Sequence, residues 1–125
     1  LRVYLDTNVI VSAVATRGLC ADVLRVILAE HELVVGEAML AELPRISSQK
    51  LGLPSEIDDE TVVFLRHQAT VVTTEAAVSI KGVDPAEAAV LAEAAAGAVD
   101  LFVTGDKGLL AVPGSPVKTV SPREL

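Results

Sequence analysis

Cysteine occurs once, at Cys20, which excludes a disulfide within the chain and any zinc site built on thiolates. A reducing compartment, the cytoplasm, is therefore the expected setting. Tryptophan is missing and aromatic residues amount to 2% of the chain, leaving little ring surface on which nucleic-acid bases could stack. With 51% apolar residues the core has to be aliphatic, built from Val, Leu, Ile and Ala. No apolar run approaches the roughly 20 residues of a membrane span, and no charged segment leads into an apolar one in the manner of a secretory signal. A soluble, intracellular chain without membrane contact is expected. Positive charge is scarce as well: 10 Lys and Arg against 17 Asp and Glu give a formal charge of −7. That balance excludes a domain that grips nucleic acid by bulk electrostatics. An RNA substrate would have to be met through metal ions, a few placed cations, or a partner. Nor is there a Gly-x-x-x-x-Gly-Lys phosphate loop.

What is present fits one domain over residues 1–125, a length that supports a single core. Arg2–Leu5 reads as a short strand that stops at the polar turn Asp6-Thr7-Asn8. A helix fits Ala21 to Glu30, with Val23, Leu24, Ile27 and Leu28 on one face. Leu33–Val35 is a second strand, and Leu40, Leu43 and Ile46 recur at helical spacing from Glu37 to Ser47. Ser47 to Pro54 reads as a loop. Ser55 with Asp58 resembles a capping box opening a helix through about Gln68. Val71-Val72 is a third strand. Asp84-Pro85-Ala86-Glu87 then starts an alanine-rich helix that Gly97 stops: an N-cap Asp, Pro in the first turn, and an acid. Leu101–Val103 is a fourth strand, followed by a short helix through Leu110, and Val117 to Val120 supplies a last strand. Strands and helices alternate, and the strands are continuous apolar runs. That pattern predicts an α/β fold in three α/β/α layers, with a mostly parallel sheet of about five strands and helices on both faces.

In such a sheet ligands sit beyond the C-terminal ends of the strands. Asp6 follows the first strand directly, and Asp106 follows Leu101–Val103 by two residues. If those strands are neighbours, two carboxylates converge. Glu87, in the first turn of its helix, and Glu42, on the helix after the second strand, are candidates to complete the set. Each acid also has a local reading. Asp6 suits an Asx-turn, Asp106 a helix cap, Glu87 a capping box and Glu42 plain solvation. Clustered acids without cations raise one another's pKa. A divalent ion such as Mg2+, which prefers oxygen ligands, relieves this and suits phosphodiester hydrolysis.

The residues themselves resemble a known family. Leu5-Asp6-Thr7-Asn8-Val9-Ile10 is similar to the first PIN-domain motif, Leu40-Ala41-Glu42-Leu43 to the second, and Asp84-Pro85-Ala86-Glu87 to the third. Val103-Thr104-Gly105-Asp106-Lys107 with Leu109-Leu110 resembles the fourth, and Val120–Glu124 the tail of its bacterial VapC-type toxin branch. The resemblance implies an endoribonuclease dependent on Mg2+ or Mn2+, usually a toxin neutralised by a protein antitoxin and often a homodimer. It implies catalytic and metal-binding roles for Asp6, Glu42, Glu87 and Asp106. Asn8 would orient Asp6, and Thr104 would position a water, metal ligand or phosphate. Apart from the resemblance, Lys107 has two readings, a phosphate contact or plain solvation. Of the two acids in the third motif, Asp84 is expected to cap its helix and Glu87 to serve the site. Two departures stand out: Ala86, Ala88 and Ala89 fill positions where this branch carries more Asp, and Gly108 stands where another acid is common.

Two other classes compete. A haloacid-dehalogenase-type phosphatase also carries Asp after its first strand, but wants a second Asp where Asn8 stands and an acid near Leu109 and Leu110. A PIN-like interaction module that has lost activity needs none of the retained acids. His31 and His67 are isolated and expected to be structural or at the surface, Cys20 to be a buried small side chain, and Asp100, just before a strand, to bond backbone.

Overall fold

Val3, Tyr4 and Leu5 are consecutive and completely buried, which requires cover on both faces of the strand they form. That strand, β1 (Arg2–Leu5), is central in the computed structural model, which describes residues 1–15, 18–52, 55–73, 85–105 and 117–124. At 19, 50, 51, 55, 56, 85–87 and 124 the description is of the backbone. The elements that follow are α1 (Thr7–Ala15), α2 (Leu19–Glu30), β2 (Glu32–Gly36), α3 (Glu37–Ile46), a π-helical turn (Ser47–Leu51) and α4 (Ser55–Gln68). Then come β3 (Thr70–Val72), α5 (Pro85–Ala96), β4 (Leu101–Val103), β5 (Thr119–Val120) and a 3-10 turn (Pro122–Glu124). The five strands form one sheet in the order β3-β2-β1-β4-β5, every neighbouring pair parallel. The expected α/β architecture, helices packed about a parallel sheet, is the one observed.

Two local expectations need correction. The chain does not stay in a turn after Asp6: α1 begins at Thr7 and buries Thr7, Val9, Ile10 and Val11. Three β-branched residues in a row weaken helix propensity, yet burying that face against the core outweighs the few tenths of a kcal/mol each costs. The stretch from Ser47 is likewise not all loop. Pro44, inside α3, has no N–H to give; α3 ends two residues later and runs into the π-helical turn. Gly52 stops that turn with φ +60°, where a residue without Cβ is favoured. The predicted short helix before Leu110 lies outside the described residues.

Two of the three aromatic side chains, Tyr4 and Phe102, stack at the centre of the sheet with ring centroids 5.4 Å apart. They are register partners, as are Leu5 and Val103 one residue on. Asp100 bonds backbone as expected, accepting the Arg2 N–H at 2.7 Å. Among the described residues no helix is long and apolar enough to cross a membrane.

Candidate functional site

Chain direction across the sheet reverses beside β1: β2 and β3 extend to one side, β4 and β5 to the other. A parallel sheet opens a crevice at that switch point, beyond the strands' C-terminal ends. Asp6 is the residue at that point. Its N–H prolongs the β1–β4 ladder, donating to Val103 O at 2.9 Å. Its carbonyl accepts the N–H groups of Val9 and Ile10, so the same residue launches α1.

The Asp6 side chain is 6% exposed and held at both oxygens. Oδ1 accepts the Thr7 N–H and Oδ2 accepts the Thr104 hydroxyl, each at 2.8 Å. Thr104 is fully buried and anchored in turn through its N–H to Val120 O at 3.0 Å. Each carboxylate oxygen can accept more than one bond, so these contacts fix the group without exhausting it. The Thr7 hydroxyl, also buried, meets no partner among the described residues. Asn8 stands half-buried in the first turn of α1.

Glu42 stands in the second turn of α3, the helix that leaves β2 next door to β1. Its side chain, 17% exposed, pairs with Arg45 one turn on at 3.1 Å. Glu87 falls in the first turn of α5, as expected, where the backbone alone is described. Asp84, Asp106 and Lys107 lie outside the described residues. The neighbouring strands that the convergence of Asp6 and Asp106 requires are present. Among the described residues no three acids, histidines or cysteines are grouped as metal ligands. The donors available at the Asp6 edge are carboxylate and hydroxyl oxygens, the set that suits Mg2+ or Mn2+ rather than zinc or copper.

One buried acid escaped the reading of the sequence. Glu93, in α5, is 3% exposed; it accepts the Tyr4 hydroxyl at Oε1, 3.1 Å away, and the Ala38 N–H at Oε2, 2.8 Å away. Burial, and then the negative charge of Glu93, push the Tyr4 phenol far above its ordinary pKa. Tyr4 therefore stays protonated and acts as the donor. A signal existed: Glu93 is the single charge in the run Ala88–Ala96, in step with Val90, Ala94 and Gly97 on the face that packs inward. Cys20 is half-buried, and burial raises its thiol pKa, as suits an unreactive packing residue.

No curated protein sequence matches this one. Among solved structures the chain is similar to one from VapBC2 of Rickettsia felis, solved bound to a DNA fragment from their promoter. The TM-score is 0.67 at 14% identity, over 97% of this chain and 98% of the other, a likeness of fold. The family model of the PIN domain matches residues 2–108, from the first residue of β1 past the strand that holds Asp6 through Thr104. The acid at the switch point thus lies where the matched sequence and the shared fold coincide, and the chain belongs to the PIN-domain family.

Proposed function

We propose that this protein is a metal-dependent endoribonuclease that hydrolyses RNA phosphodiester bonds with Mg2+ or Mn2+, acting as the toxin of a type II toxin–antitoxin pair. The observation that carries this reading is Asp6: a buried carboxylate at the switch point, immobilised by the Thr7 N–H and the Thr104 hydroxyl. Membership of a family whose members are in general nucleases supports the reaction class. The likeness to VapBC2 supports the toxin role.

Asp6, Glu42, Glu87 and Asp106 would hold the ion. The chemistry it supplies when bound is Lewis-acid polarisation of the phosphate and a lowered pKa for the attacking water. Thr104 keeps Oδ2 of Asp6 aimed, and Asn8 steadies the same carboxylate from the first turn of α1. In this reading Asp84 would cap α5, Glu87 would serve the site from the first turn of that helix, and Lys107 would meet a phosphate oxygen. The positive charge that a −7 chain lacks is then local to the site. The partners proposed are an RNA substrate, a protein antitoxin and a second copy of the chain, in the cytoplasm. An apolar groove between α1 and α4, lined by Val14, Ile57, Glu60, Thr61 and Phe64 and about 310 Å³ in volume, supports a covering partner.

Replacing a group that merely supports a metal ligand costs about 10–100-fold in metal affinity or activity, so losing a ligand should cost at least about a hundredfold. Asp6→Asn is therefore expected to cut RNA cleavage by about a hundredfold or more with an unchanged circular dichroism spectrum, and EDTA to abolish cleavage by the native protein. Full activity in the variant, or cleavage indifferent to EDTA, defeats the proposal. One observation favours a second reading, an inactive PIN-like module: Glu42 is ion-paired with Arg45. Calorimetry that detects no Mg2+ binding at millimolar ion would favour that module. The phosphatase alternative falls with the family assignment.

A further inference from the structure

Glu93 touches two elements besides its own, and each of the three carries a candidate ligand close by. Through Tyr4 it reaches β1, two residues before Asp6. Through the Ala38 N–H it reaches the first turn of α3, one helical turn before Glu42 and on the same helix face. Along α5 it stands fewer than two turns from Glu87. The fold also makes room for it: a Cβ at Gly36 would lie 1.9 Å from Oε1 of Glu93 and 2.7 Å from the Tyr4 hydroxyl oxygen. Gly36 is moreover the residue before α3, so the carboxylate sits against that helix's N-terminus, where exposed N–H groups and the macrodipole favour negative charge.

A carboxylate taken out of water is costly unless its oxygens are bonded, and the core could have closed here with an aliphatic side chain like those around it. The position instead holds an acid that joins β1, α3 and α5 at one point. We infer that Glu93 is a positioning residue of the candidate site, fixing the spacing of the elements that carry Asp6, Glu42 and Glu87. It touches neither substrate nor ion. Its role rests on the metal-nuclease reading above.

The test compares Glu93→Leu, which removes both bonds, with Glu93→Gln, which can still accept the Ala38 N–H and can donate to the Tyr4 oxygen. The first readout is binding of Mn2+ alone by calorimetry, at a temperature where circular dichroism shows each protein folded. The second is amide exchange at Ala38. Glu93→Leu is expected to bind Mn2+ at least about tenfold more weakly than the native chain, the scale of lost support behind a ligand. The Ala38 amide should exchange faster, and Glu93→Gln should restore most of both. A role confined to stability lowers the melting point of Glu93→Leu and leaves the Mn2+ affinity of the folded protein at the native value, which overturns the inference. Should Glu93→Leu not fold, Tyr4→Phe carries the same test, since it cuts the β1 arm and keeps the ring's packing. Weaker Mn2+ binding supports the inference, and unchanged binding overturns it. A native chain that binds no Mn2+ overturns the metal reading and this inference together, whereas native-like binding in the variants overturns this inference alone.

Discussion

The Thr104 hydroxyl donates to Asp6 across the mouth of the sheet, buried on every side. Thr104→Val keeps the branched shape and removes the donor, leaving a buried carboxylate oxygen one bond poorer. Hydrogen bonds to charged groups are worth about 1.5–3 kcal/mol, so the thermal melt should show a loss on that scale. RNA cleavage should fall about 10–100-fold, and Thr104→Ser should recover it. A stable, fully active Thr104→Val would detach this threonine from the site. At this scale the sequence was readable where the function is local. Asp6 and Thr104 follow adjacent strands directly, so their strand-end positions could be read from the apolar runs before them. For Asp6, one oxygen accepts the N–H of the adjacent Thr7 while the other faces Thr104, 98 residues on. Glu93 was not readable in the same way. Its partners lie 89 and 55 residues away, and no spacing rule along α5 names them.

Gly36 shows how one element depends on another. It ends β2, precedes α3 and faces the Glu93 carboxylate without a Cβ. Gly36→Ala forces displacement of both Glu93 and Tyr4, the overpacking case that costs about 1–3 kcal/mol. Paired with Glu93→Ala, which empties the same space, the cost should fall below the sum of the two single changes. The coupling expected of residues in contact is about 0.5–3 kcal/mol, measurable from denaturant midpoints. Simple additivity would mean that the backbone moves instead. Most elements were legible because their signals are strong: three-residue apolar runs for the inner strands, and Asp-Pro before α5. The exceptions have separate causes. In α1 and in the π-helical turn, tertiary burial and a proline two residues from a helix end overrode what composition suggested.

Over the whole molecule, 17 acidic residues outnumber 10 basic ones. Affinity for a single-stranded RNA falls with salt by a log–log slope of about 0.7 for each phosphate neutralised by protein cations. A chain with few cations to spend should contact only about one or two phosphates, so raising salt fourfold should weaken RNA binding by less than about tenfold. Filter binding of Asp6→Asn, which separates binding from cleavage, measures it. A loss of about a hundredfold or more would reveal a basic surface that the charge balance conceals.

The place of β1 in the sheet carries one more consequence. It is the earliest of the five described strands and the central one in space, and the bond between Thr104 and Asp6 spans 98 residues. A ribosome delivers the chain from its N-terminal side at about 5–20 residues per second. β1 can pair with β2 as soon as both have emerged, but β4 arrives only after α5, and Thr104 later still. Long-range parallel pairing is slow to form, so the contact that finishes the Asp6 edge waits until residue 104 has emerged. For a chain proposed to cleave RNA, this order would leave the nascent polypeptide inert until that contact can close.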